Sequence, residues 1–196
     1  RMSKIALEQP EWYDDHDVRL LARTRVAGLR PSEGVVETDD GTRLRADRVI
    51  LATGGRAARP PIPGADGERV HVLRTIDDAD RLRAAAGAGA RFLVVGGGLI
   101  GAEVASTLTG LGVAVTLVDA VARPLSEAVG GPVAQWLHDV HRARGVTVHQ
   151  CGVERLEPVG DGLRAHLGDG QGRVDVDRVV LSVGMVPETS LAKAAG

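Results

Sequence analysis

Residues 91–119, RFLVVGGGLIGAEVASTLTGLGVAVTLVD, decide the fold. The apolar run Phe92–Val95 reads as a buried strand and opens into Gly96-Gly97-Gly98. A helix over Leu99–Leu111 follows, stopped by Gly112, and a second strand over Val113–Val118 ends in Asp119. Gly96, Gly98 and Gly101 are spaced G-x-G-x-x-G. With 26 glycines in the chain that spacing alone is weak evidence. Its context is what carries weight: a strand before it, a helix opening on it, and an acid 18 residues past Gly101. Gly96 permits the tight turn, Gly98 lets a pyrophosphate reach the backbone, and Gly101 lets helix and strand pack closely. The helix N-terminus offers free N–H groups and a partial positive charge. Residues 91–119 therefore predict a dinucleotide-binding βαβ unit.

Asp119 stands where a carboxylate accepts from both adenosine ribose hydroxyls and repels a 2′-phosphate, so NAD(H) is expected over NADP(H). Its bland alternative is a solvated acid at a strand end. Arg123 is a candidate contact to the ribose or the diphosphate, with a 2′-phosphate contact or solvent as alternatives.

Outward from this unit, strand and helix continue to alternate. Thr75 caps a helix carrying Asp77, Asp78 and Asp80 and ending at Gly87. A later helix spans Pro132–Arg144 and leads to a strand over Val146–His149. Residues 153–177 read as an antiparallel excursion, and a strand over Arg178–Val183 enters Gly184. Alternation with buried strands predicts an α/β fold with a Rossmann-like, doubly wound parallel sheet. Upstream, short strands at Arg25–Arg30, Gly34–Thr38 and Thr42–Arg45, with a turn at Asp40-Gly41, predict a β-meander. Arg48–Ala52 reads as a buried strand running into Thr53-Gly54. Three prolines and a glycine within Arg59–Gly64 make a stiff connection. The expected boundary falls just after it, giving domains over residues 1–72 and 73–187, with 188–196 beginning a third segment.

Composition excludes several classes. Hydrophobic residues make up 43% of the chain, aromatics 2%, and the net charge is −2. There is no electrostatic case for nucleic acid or an anionic membrane. No apolar run approaches the roughly 18 residues needed to span a bilayer, and no signal peptide is visible. The single cysteine, Cys151, reads as a passive thiol, which fits a reducing cytoplasm. His138 and His141 sit three apart on one helix without a third ligand at matching spacing, so no metal is expected.

The chain resembles the pyridine nucleotide–disulfide oxidoreductase superfamily. Leu51-Ala52-Thr53-Gly54 is similar to its ATG motif, and Gly184-Met185-Val186-Pro187 to its G-x-x-P strand end. Within it, four stretches resemble the ferredoxin reductase branch, which includes rubredoxin and putidaredoxin reductases: Met2-Ser3-Lys4, Leu73–Asp80, Gly96–Ala105 and Trp136–Val146. The resemblance implies FAD and NAD(H) as cofactors and a soluble flavoenzyme passing hydride from NADH to FAD, then electrons to a ferredoxin or rubredoxin. Alternatives are an NADH oxidase, a nitrite reductase component, or a non-enzymatic, NAD-responsive protein of the apoptosis-inducing-factor type. Residues 1–72 would be part of an FAD domain and 73–187 an NAD domain. The chain would be the central part of a longer enzyme and inactive alone, because the FAD diphosphate glycines and the ribityl phosphate segment of the family are not in it. Thr53, Gly54 and Arg56 would lie against FAD, and Leu99 and Ile100 near the nicotinamide and flavin. Gly184 would close the NAD site. Lys4 and Glu103 would form a catalytic ion pair beside the flavin. Thr53 as a strand-end cap, Arg56 as a surface charge and Glu103 as a helix-favouring acid are the bland alternatives.

Overall fold

The computed structural model describes residues 7–196, in two compact units. One runs up to Gly54 and includes Glu188–Gly196; the other is Gly55–Pro187.

The smaller unit opens with a single-turn helix, α1 (Pro10–Asp15), with proline in its first turn, where no N–H is lost. The meander follows as expected: β1 (Val26–Arg30), β2 (Val35–Thr38) and β3 (Arg43–Arg45), antiparallel in that order. Asp40 makes its turn. The carboxylate accepts from Thr42 N–H at 2.9 Å and from the buried Thr38 hydroxyl at 2.6 Å, while Gly41 takes φ +86°. Arg48–Ala52 departs from expectation. It pairs with no strand, and Val49, Ile50 and Leu51 are exposed, Ile50 to 92%. An apolar run becomes a strand only beside an edge that takes its hydrogen bonds, and among the described residues none lies there.

In the larger unit the elements are β4 (Gly55–Ala57), β5 (Val70–Val72), α2 (Ile76–Ala85), β6 (Arg91–Val95), α3 (Leu99–Gly110), β7 (Ala114–Asp119), α4 (Ser126–Val129), α5 (Gly131–Ala143), β8 (Thr147–Gln150), β9 (Val153–Val159), β10 (Gly162–Leu167), β11 (Arg173–Val176), β12 (Arg178–Leu181) and β13 (Met185–Pro187). A last short helix, α6 (Ser190–Ala194), belongs to the smaller unit. Strands β5-β12-β6-β7-β8 form one all-parallel sheet. Both faces are covered, which is why β6 and β12 are apolar at nearly every position. Phe92 and Val94 face Leu82, Val104, Ala105 and Leu108 of α2 and α3. Leu93 and Val95 face Leu156, Leu163, Ala165 and Val176 of the antiparallel sheet β11-β10-β9. The mixed α/β class and the parallel five-stranded sheet are as expected, with an antiparallel sheet covering one face.

Residues 55–72, grouped by sequence with the first domain, pack in the larger unit. β5 pairs with β12, β4 pairs with β13, and Ile62 packs against the core. The proline-rich connection is docked rather than spanning: Leu156 N–H donates to the Pro63 carbonyl at 2.8 Å. α2 starts where its sequence predicts, capped by Thr75, and Asp78 completes a reciprocal capping box.

Candidate functional site

The sheet order reverses between β6 and β12, and ligands of such sheets bind outside the carboxyl ends of the strands at that point. A cleft of about 790 Å³ lies there, bordered by Val95, Gly96, Gly98, Leu99, Ile100, Val118, Asp119, Ser182 and Gly184. Six of the sequence-predicted residues are thus brought together: Gly96, Gly98, Leu99, Ile100, Asp119 and Gly184.

The motif glycines divide the work. Gly96 has φ +98°, and a Cβ there would lie 2.5 Å from the Ser182 carbonyl oxygen. On Gly101 it would lie 1.8 Å from the Gly96 carbonyl oxygen. Both positions are glycine because backbone passes against backbone. Gly98 is different. Its φ is −66° and a Cβ would meet nothing within 4 Å, so the fold places no demand for glycine there. It is the N-cap of α3, which no side chain caps, and the first helical bond is Ala102 N–H to the Gly98 carbonyl at 2.9 Å. Gly98, Leu99 and Ile100 at this helix start line the cleft, and the first N–H groups of a helix with no capping side chain are the kind of group that can take an anion.

Asp119 is more occupied than its motif suggests. One oxygen accepts from Gly97 N–H and the other from Val121 N–H, each at 2.7 Å. Each carboxylate oxygen has a second lone pair, so ribose hydroxyls can still be accepted. Leu125, on the same cleft, has φ 74° with its side chain buried. Gly184 has φ +106°, and its carbonyl accepts from Ala58 N–H at 2.9 Å.

The remaining candidates lie elsewhere. Gly101 is buried against the Gly96 carbonyl and Arg123 is exposed in the loop after β7. Glu103 is exposed at the start of the second turn of α3 and borders a separate apolar groove with Leu73, Leu82 and Leu108. Thr53 and Gly54 belong to the smaller unit, where Thr53 Oγ1 donates to the Glu188 carbonyl at 2.7 Å and Glu188 N–H to the Gly54 carbonyl at 2.9 Å. Arg56 is exposed on β4, opposite Val186. Lys4 lies outside the described residues. Among the described residues no group of three or more histidine, cysteine or acidic side chains is placed to hold a metal.

Sequence reasoning missed Pro60, Ile62, Leu125 and the Cys151–Val153 turn as cleft walls. Cys151 is 1% exposed, and burial, followed by the nearby Asp169 charge, holds its thiol above the ordinary range. It lines the cleft as an apolar group, not a nucleophile.

The family model for pyridine nucleotide-disulphide oxidoreductase matches residues 2–196. The chain belongs to that family. Among its curated relatives, the ferredoxin–NAD(+) reductase component of the anthranilate 1,2-dioxygenase system of Burkholderia cepacia is 37% identical over 94% of this chain and 46% of its own length. Putidaredoxin reductase of Pseudomonas putida is 35% identical over 98% of this chain and 47% of its own. Among solved structures, the covalent putidaredoxin reductase–putidaredoxin complex matches with a TM-score of 0.87 and 32% identity over 100% of this chain and 48% of that one. A water-forming NADH oxidase from Lactobacillus brevis, bound to NADH, gives 0.82 and 25% over 98% and 44%. The chain spans about half the length of the curated relatives it matches. No described helix is long and apolar enough to cross a membrane.

Proposed function

We propose that this chain carries the NAD(H) site of an FAD-dependent NADH oxidoreductase whose electrons pass to a small iron–sulfur protein, a ferredoxin or rubredoxin, in the cytoplasm. The observation that carries the reading is Gly98, a glycine at an uncapped helix start for which the fold has no use, facing a cleft at the sheet's reversal point. Among solved structures the putidaredoxin reductase–putidaredoxin complex is 32% identical against 25% for the NADH oxidase, which favours the iron–sulfur acceptor over oxygen.

In this reading the unbonded N–H groups at the α3 N-terminus, from Gly98 onward, hold the diphosphate, while the Gly96 and Gly97 amides are already given to the Val118 carbonyl and Asp119. Asp119 accepts from the adenosine ribose and disfavours a 2′-phosphate by charge repulsion, and Arg123 stands at the same end. Leu99 and Ile100 give an apolar wall that excludes water beside the nicotinamide, and Gly184 forms the opposite rim. Thr53, Gly54 and Arg56 are assigned to the flavin, and Lys4 and Glu103 to the hydride-transfer half-reaction, on resemblance alone. Bound FAD supplies the conversion of a two-electron donor into single electrons.

The test is NADH-dependent reduction of a ferredoxin by the full-length, FAD-loaded protein. Stimulation of NADH consumption by the acceptor is expected. Oxygen consumption unaffected by the acceptor would transfer the protein to the oxidase reading.

A further inference from the structure

Among the described residues, two of the four buried polar side chains are histidines of one helix: His138, 5% exposed, and His141, 6% exposed, both on α5. His138 Nε2 lies 3.2 Å from the Pro124 carbonyl oxygen. A carbonyl only accepts, so Nε2 carries the proton. That leaves Nδ1 bare, buried and without a partner. An orphaned buried nitrogen is a cost that leucine would not incur, so the fold alone does not call for histidine here.

Pro124 joins this helix to the nucleotide cleft. Its ring carbons would stand 3.1 and 3.2 Å from a Cβ on Gly97, so the proline packs directly on the glycine turn. Gly97 N–H is held by one oxygen of Asp119 and Val121 N–H by the other. His138, Pro124, Gly97, Asp119 and Val121 therefore form one connected set. The next residue, Leu125, holds a positive φ of 74°. A side chain tolerates that conformation only where its surroundings over-determine it. Burial of Leu125 against Ala102 and Ala134 is one restraint; the His138 hydrogen bond on the preceding residue is the other.

We propose that His138 is a positioning residue for cofactor discrimination: through Pro124 it holds the β7–α4 loop so that the Asp119 carboxylate faces an unphosphorylated adenosine ribose. The inference rests on the nucleotide reading above. Without the His138 bond the strained loop relaxes, Asp119 loses its fixed direction, and a 2′-phosphate is excluded less strictly.

The experiment compares binding of NADH and NADPH to the full chain by calorimetry, for the unmodified protein, His138→Leu and His138→Gln. Glutamine places an amide N–H where Nε2 stands and keeps the bond. His138→Leu should narrow the NADH-to-NADPH affinity ratio about three- to tenfold, the range one hydrogen bond supports, and His138→Gln should restore it. Should His138→Leu fail to fold, His138→Asn, whose amide falls short of Pro124, takes its place with the same expectation. An unchanged ratio, whether both affinities hold or both fall together, would overturn the proposal and leave His138 a packing residue. Absence of saturable NADH binding by the unmodified chain would instead overturn the nucleotide reading beneath it.

Discussion

Alanine at Gly98 and alanine at Gly101 should fail in opposite ways. At Gly101 the new Cβ would lie 1.8 Å from the Gly96 carbonyl oxygen, whereas Cβ atoms essentially never approach closer than 3.0 Å. The clashing atom is backbone and cannot rotate aside, so α3 must lift from β6. Overpacking costs about 1–3 kcal/mol, and a backbone clash belongs at the upper end. For a chain of this size each kcal/mol lowers the melting temperature by about 2–4 °C. At Gly98 the Cβ meets nothing within 4 Å and φ is −66°, so stability should change by less than about 0.5 kcal/mol. Its methyl group, however, stands in the cleft where a diphosphate would meet the helix amides. Nucleotide affinity should fall at least about tenfold, or 1.4 kcal/mol. Thermal unfolding and NADH titration of both variants separate the two effects. Unchanged NADH affinity in Gly98→Ala would remove the diphosphate from this turn. An unchanged melting temperature in Gly101→Ala would refute the packing argument.

Asp119→Asn should reduce NADH-over-NADPH discrimination to within about threefold, since a neutral amide no longer repels a phosphate; competitive titration of the two nucleotides measures it. Asp78→Ala removes half of the capping box of α2 and should cost about 0.5–2 kcal/mol in denaturant unfolding. His141 is held below the ordinary histidine range first by burial, opposed by the Ala102 backbone and helped by the Arg144 charge. The unfolded chain therefore binds this proton more readily. Stability is fully present above about pH 6.5 and falls as the pH drops below it, by at most about 1.4 kcal/mol per pH unit for one proton; His141→Gln should flatten that slope in unfolding curves between pH 7.5 and 5.5. Lys4→Met in the full-length protein should slow flavin reduction by NADH in stopped flow while NADH affinity changes much less.

The βαβ unit was legible because its information is local. Apolar period, glycine spacing and a terminal acid all fall within 29 residues, and β6, α3 and β7 begin or end within one or two positions of expectation. The meander and the Thr75 cap were legible for the same reason. What the sequence hid was long-range. Residues 59–64 read as a stiff connection because prolines exclude regular structure, and 55–72 read as part of the first domain, yet their docking depends on β9, β12 and β13, which lie far along the chain. Arg48–Ala52 carries a strand's composition and pairs with nothing described, because composition supplies side chains but not a neighbouring edge. Asp119 was identified as a ligand-facing acid, while its grip on Gly97 and Val121 was invisible from spacing. Leu125 gave no signal, since a leucine at positive φ follows no residue preference. Glu103 follows the glycine motif closely in sequence, but its turn of α3 faces the groove beside α2.

The most direct measurement of the central claim is a calorimetric titration of the unmodified chain with NADH and, separately, with NADPH. One NADH should bind per chain, at least about tenfold more tightly than NADPH. No saturable heat with NADH, or equal affinity for the two nucleotides, would contradict the assignment of the cleft at Gly96–Gly98 and Asp119 as an NAD(H) site.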